Sequence, residues 1–114
     1  MEEKPEMTDK QIRNMMISRF YSDWTTATDH VNQGWWNLIC SVRDLKLWSR
    51  GIKAHRHWKV GPVKQYFNIS GNKDSLLTQI VAIQAFCEDL LNGEEYARDA
   101  VFRIAQTISE DELQ

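Results

Sequence analysis

The residues able to do chemistry crowd the middle of the chain. Between Val42 and Lys64 stand seven basic side chains, Arg43, Lys46, Arg50, Lys53, Arg56, Lys59 and Lys64, against the single acid Asp44. His55 and His57 lie among them. Trp48 and Trp58 are interleaved with these cations, and Tyr66 follows them. Cations that neutralise phosphates, beside rings that stack on unpaired bases, make up a surface for single-stranded or structured nucleic acid over segment 42–67. The same side chains suit a protein partner with an acidic surface, held by an aromatic anchor and oriented by the cations around it. A third arrangement is internal. From Glu88 to Gln114 eight acids stand against Arg98 and Arg103, so the basic face could lie beside the chain's own acidic helix. The net charge of −2 conceals this segregation. It also excludes attraction to nucleic acid or acidic membranes through the overall field; only a local patch would serve.

Five tryptophans are many for 114 residues. Most belong in a core, where each buries a large area. The adjacent pair Trp35 and Trp36 diverges by about 100° on a helix, so one of the two is expected on a second surface, and exposed tryptophan is a frequent interface anchor. That points to a protein partner or to self-association.

Other chemistry is sparse. His55 and His57, two apart, share a face only on an extended chain. No cysteine or carboxylate stands beside them to complete the three or four ligands of a metal site, and His30 is distant. Cys40 and Cys87 sit in the apolar runs Leu38-Ile39-Cys40 and Ala85-Phe86-Cys87. They are expected as reduced, buried thiols with raised pKa values and little reactivity. There is no glycine-rich phosphate loop, nucleophile elbow or His-Glu zinc motif. No enzyme activity and no cofactor is expected.

The stretch Pro62 to Ile80 has the outline of a helix-turn-helix, a short helix, a turn at Ile69-Ser70 and a longer helix. In that alignment Asp74 falls where a core residue should point inward, and Lys64 falls where a small residue belongs. The run Gly71-x-Lys73-x-x-Leu76 resembles the second half of SAP-type DNA-binding modules, but the first half is missing. Either family would imply DNA binding; no function is carried over from these fragments.

The elements that position these residues read as helices. Thr8 with Gln11 has capping-box spacing. Ile12, Met15, Met16 and Phe20 then share a face that Trp24 extends. A break follows between Trp24 and Gly34. A second helix runs from about Trp35 to Arg50, with Trp35, Leu38, Ile39, Val42 and Leu45 as its apolar stripe. Gly51 closes it and Ile52 supplies the contact just beyond. Pro62 opens a short helix to Phe67. A longer helix reaches Leu91 through Leu76, Leu77, Ile80, Ile83, Gln84 and Cys87, and Asn92-Gly93 ends it. The last helix starts near Glu94, with Tyr96, Ala97, Ala100, Val101, Ile104 and Ile108 inward. Ile52 to Val60 has room for a short extended piece.

The expected fold is all-α, a compact bundle of four to five helices in one domain spanning 8–108. Residues 1–7 are expected as a disordered arm and 109–114 as a frayed acidic tail. The start of the chain lacks the order of a signal peptide, and no stretch approaches a membrane span. The expectation is a cytoplasmic or other reducing compartment and no membrane partner. The functional expectation is a small accessory or regulatory protein acting by protein–protein interaction, with nucleic-acid binding as the alternative. The expected surface joins Trp36, Trp48, Arg50, Lys53, His55, Arg56, His57, Trp58 and Lys59.

Overall fold

The computed structural model describes residues 6–28 and 32–112, with side chains as far as Ser109. Among the described residues six α-helices follow in order: α1 (Asp9–Met16), α2 (Arg19–Thr25), α3 (Gln33–Ser49), α4 (Val60–Phe67), α5 (Lys73–Leu91) and α6 (Glu95–Glu112). No strand occurs among the described residues, and the stretch from Ile52 to Lys59 is irregular, with bends and turns at residues 54–57. The all-α class stands, and the helix number is corrected upward from four or five.

The extra helix comes from Ser18, which splits the expected Thr8–Trp24 block. The Thr8 capping box forms as its spacing predicts, with Gln11 N–H donating to Thr8 Oγ1 at 3.2 Å and Thr8 N–H to Gln11 Oε1 at 2.9 Å. The chain then turns at Ser18. This residue takes an extended backbone, donates its hydroxyl to Met15 O at 2.5 Å and accepts Tyr21 N–H at 3.2 Å. The buried hydroxyl thus caps the end of α1 and the start of α2 together, which lets Met15 and Phe20 both reach the core. Ser18→Ala leaves backbone groups unpartnered at the kink and is expected to cost about 1–2 kcal/mol. Urea unfolding measures this; an unchanged midpoint would mean the kink is held by packing alone.

Helix α5 is the axle. It packs on α3 on one side and on α6 on the other, while α2 packs on α3 and α4, and α1 on α6. Its buried set therefore wraps two faces: Leu76, Ile80, Ile83 and Cys87 on one, Ala82, Phe86 and Asp89 on the other. Leu91, expected inside, is 64% exposed. Its start is capped by Asn72, whose side chain accepts Ser75 N–H at 2.9 Å. Its end closes at Gly93 (φ +75°), with Glu94 N–H donating to Asp89 O at 2.9 Å. Helix α4 begins at Val60, two residues before Pro62. Proline is still in the first turn, where its missing donor costs nothing. Asn68 ends α4 in the left-handed region (φ 55°) and donates its amide to Asn14 O at 3.0 Å, tying α4 to α1.

A cluster of rings fills the space between α2 and α4. Phe20 is fully buried, 5.1 Å from Phe67, 6.0 Å from Trp24 and 6.3 Å from Tyr66 between centroids. At the rim of the cluster the Tyr66 hydroxyl donates to Asp23 Oδ2 at 2.8 Å and accepts from Asn37 Nδ2 at 3.0 Å, linking α2, α3 and α4. Burial pushes the Tyr66 hydroxyl pKa up, and the neighbouring Asp23 adds to the rise.

Met7, expected in the disordered arm, is half-buried against the core. Helix α6 continues through Glu112, past the expected end at Ile108. Residues 1–5 of the expected arm, residues 113–114 of the expected tail, and His30 lie outside the described residues.

Candidate interaction surface

Helix α3 positions the surface. Asn32 caps it, accepting Trp35 N–H at 3.0 Å and donating its amide to Trp24 O at 2.8 Å, so the start of α3 is fixed to the end of α2. Gly34, Leu38, Val42 and Leu45 face inward. At 100° per residue, the outward side carries Trp36, Ile39, Arg43, Lys46 and Arg50 within about 80° of one another. All five are exposed, Trp36 at 57% and Ile39 at 40%. Ile39, expected in the core stripe, sits about 100° round from Leu38, on the flank the core does not reach. The spacing 36, 39, 43, 46, 50 is that of the seam of a coiled coil, with an apolar end and a basic end. Arg43 leans toward Asp44 at 3.1 Å.

The helix closes as its sequence predicts. Gly51 takes φ +80°, Gly51 N–H donates to Trp48 O and Ile52 N–H to Leu47 O, both at 2.9 Å. Ile52 nevertheless remains 52% exposed. Arg50, Lys53, His55, Arg56, His57 and Lys59 are all exposed at the helix end and on the loop that follows. His55 Nδ1 accepts the backbone N–H of His57 at 3.3 Å, so that imidazole nitrogen shapes the turn. Among the described residues no group of three His, Cys, Asp or Glu gathers to hold a metal ion.

Trp58 departs from the expected surface. It is 7% exposed and packs 5.8 Å from Trp48, pinning the loop to the body. Trp48 is half-buried, with Lys73 Nζ 4.8 Å above its ring. Of the expected residues the structure therefore brings Arg50, Lys53, His55, Arg56, His57 and Lys59 together at one end of α3. Trp36 lies about 20 Å away along the same helix. Sequence reasoning misses Ile39, Ile52 and Lys73. Ile39 and Ile52 look like core residues in a sequence of apolar spacings, and nothing local marks Lys73 as a neighbour of Trp48.

The acidic helix does not cover this face. Helix α6 packs on α1 and α5, and its Arg103 is paired with Asp9 at 2.8 Å. Among the described residues no ion pair joins the basic segment to α6.

A concavity of about 680 Å³ opens between α1, α5 and α6 and is lined by Asp9, Phe86, Asp89, Tyr96 and Arg103 among others. The Tyr96 hydroxyl donates to the buried Asp89 Oδ2. Desolvation, that bond and the nearby carboxylates push Tyr96 up to about 12, so it remains a donor. No cysteine, serine or histidine lines this cleft among the described residues.

The two thiols are free and differ in setting. Cys87 is fully buried, and desolvation with Glu88 beside it pushes its pKa up to about 12. Cys40, expected buried, is half-exposed on a groove beside Tyr66. A thiol reagent at about pH 8 is expected to label Cys40 in the native chain and Cys87 only after denaturation, because so strongly raised a thiol stays protonated there. Two labels in the folded protein would contradict the burial of Cys87.

The fold and this surface define an all-α domain with an exposed aromatic-to-basic stripe; no helix among the described residues is long and apolar enough to cross a membrane. No family model, curated protein or solved structure matches the chain.

Proposed function

We propose that this chain is a small non-enzymatic accessory or regulatory protein that docks an acidic helical segment of a partner through the outward face of α3. The observation that carries the reading is the stripe Trp36, Ile39, Arg43, Lys46 and Arg50, exposed throughout and continued by Lys53 and Ile52. A partner helix laid along it would bury apolar residues against Trp36 and Ile39 and set its acids opposite the cations. The anchor at Trp36 supplies most of the affinity and the cations steer and orient. Nucleic-acid binding through segment 42–67 keeps its cations but has fewer open rings, since Trp58 is buried and Trp48, with Lys73 over its ring, and Tyr66 are half-buried. The two free thiols fit a reducing compartment such as the cytoplasm.

Calorimetric titration with a synthetic acidic amphipathic helix tests this. Trp36→Ala is expected to weaken binding about thirty-fold, the effect of an anchor worth about 2 kcal/mol. Mixed-sequence single-stranded DNA is the counter-probe. Tight DNA binding that falls log-linearly with salt and ignores Trp36→Ala would overturn the reading in favour of nucleic acid.

A further inference from the structure

The described surface holds a second exposed helix face whose chemistry is the complement of the first. On α6, Glu95, Asp99 and Phe102 lie within about 60° of one another, turned away from the buried Ala97, Ala100 and Ile104. All three are exposed, and Phe102, at 70%, is the most exposed of the large apolar side chains described. Arg98, also exposed, lies at the edge of this face about 40° from Phe102, and Arg103 is engaged by Asp9. The face is thus an aromatic residue followed, toward the start of the helix, by the carboxylates of Asp99 and Glu95, with the Arg98 cation at its edge.

The two faces match in spacing as well as in sign. Ile39 and Lys46 are seven residues apart on α3, and Phe102 and Glu95 are seven apart on α6; each interval is about 10 Å of helix. When the helices run in opposite directions, both intervals coincide. This rests on the reading of α3 as a docking face and names its occupant. We propose that α6 of a second copy lies antiparallel along α3, with Phe102 seated against Trp36 and Ile39 and with Asp99 and Glu95 facing Arg43 and Lys46. Opposed helix dipoles favour this direction, and the contact buries the exposed rings of both partners. The interface is heterologous, so each copy offers one α3 face and one α6 face.

Sedimentation equilibrium of the full chain, from micromolar to millimolar concentration, tests the contact. The average mass is expected to rise above the 13.4 kDa of one chain, and less steeply as salt screens the pairs. Lys46→Glu and Glu95→Lys each put like charges into the contact and are expected to remain monomeric. An equimolar mixture of the two regains association, because each altered face then meets an unlike charge on the other variant. Misfolding of either variant cannot produce that recovery. Phe102→Ala is expected to weaken association about thirty-fold. A wild-type chain that stays monomeric throughout would overturn the proposal, as would a mixture that stays monomeric while the wild type associates. If the wild type is monomeric yet binds the acidic helical peptide through Trp36, docking on α3 stands and the second copy is not its occupant. If both are silent, the docking reading falls too.

Discussion

Phe20→Ala is expected to destabilise the fold by about 4 kcal/mol, the range for an aromatic truncated in a fully packed core. Phe20 has no exposed surface and touches rings from two helices, Trp24 on its own and Phe67 and Tyr66 on α4. The hole cannot collapse easily, since Trp24 and Tyr66 are each held by a polar partner, Trp24 O by Asn32 and the Tyr66 hydroxyl by Asp23. A loss of that size is a large share of the roughly 5–15 kcal/mol that holds a small domain together. Urea unfolding should show a much lower midpoint with an unchanged slope. A loss below about 1 kcal/mol would mean that the ring cluster contributes little to the fold.

Gly34→Ala carries the second large effect, and its sign is opposite to the usual one. In an exposed helix interior, alanine in place of glycine gains about 1 kcal/mol. At Gly34 a β-carbon would stand 2.6 Å from Trp24 N and 2.8 Å from Trp24 Cα. Both are backbone atoms, so no rotamer change relieves the clash, and α2 and α3 must part. The expected cost is about 2–3 kcal/mol, which for a chain of this size lowers Tm by about 10 °C. The displaced segment also carries Trp36, two residues on, so binding through α3 should weaken together with stability. A Gly34→Ala variant as stable as the wild type would show that the α2–α3 approach is looser than described.

Much of the fold is legible in the sequence because local chemistry and tertiary packing agree. The Thr8–Gln11 box and the Gly51 and Asn92-Gly93 closures all form where their residues predict. Ser18 is not legible as a break, because the apolar period runs through it without interruption and only a buried serine cap reveals the kink. Helix α5 defeats a single-stripe reading for another reason. It is packed from two sides, so Phe86 and Ala82 are buried off the stripe while Leu91, the last residue of the helix, is left in solvent.

The site shows the same division. Charge segregation is plain, and the divergence of Trp35 and Trp36 places one ring outside. What periodicity does not supply is depth. Trp58 and Ile52 are both apolar residues in a basic stretch, yet the first is buried against Trp48 and the second is left in solvent. Nor does the sequence say that α6 settles against α1 and α5, which leaves the basic face of α3 and its loop uncovered.

Docking at the Trp36 end of α3 is reported by the indole N–H resonance of Trp36. Titration of the isotope-labelled chain with the acidic amphipathic helix should shift that resonance strongly, together with the backbone of Ile39, Arg43 and Lys46, while the buried Trp58 stays in place. An unmoved Trp36 at saturating peptide, with changes confined to residues 50–59 and reproduced by single-stranded DNA, would contradict the account.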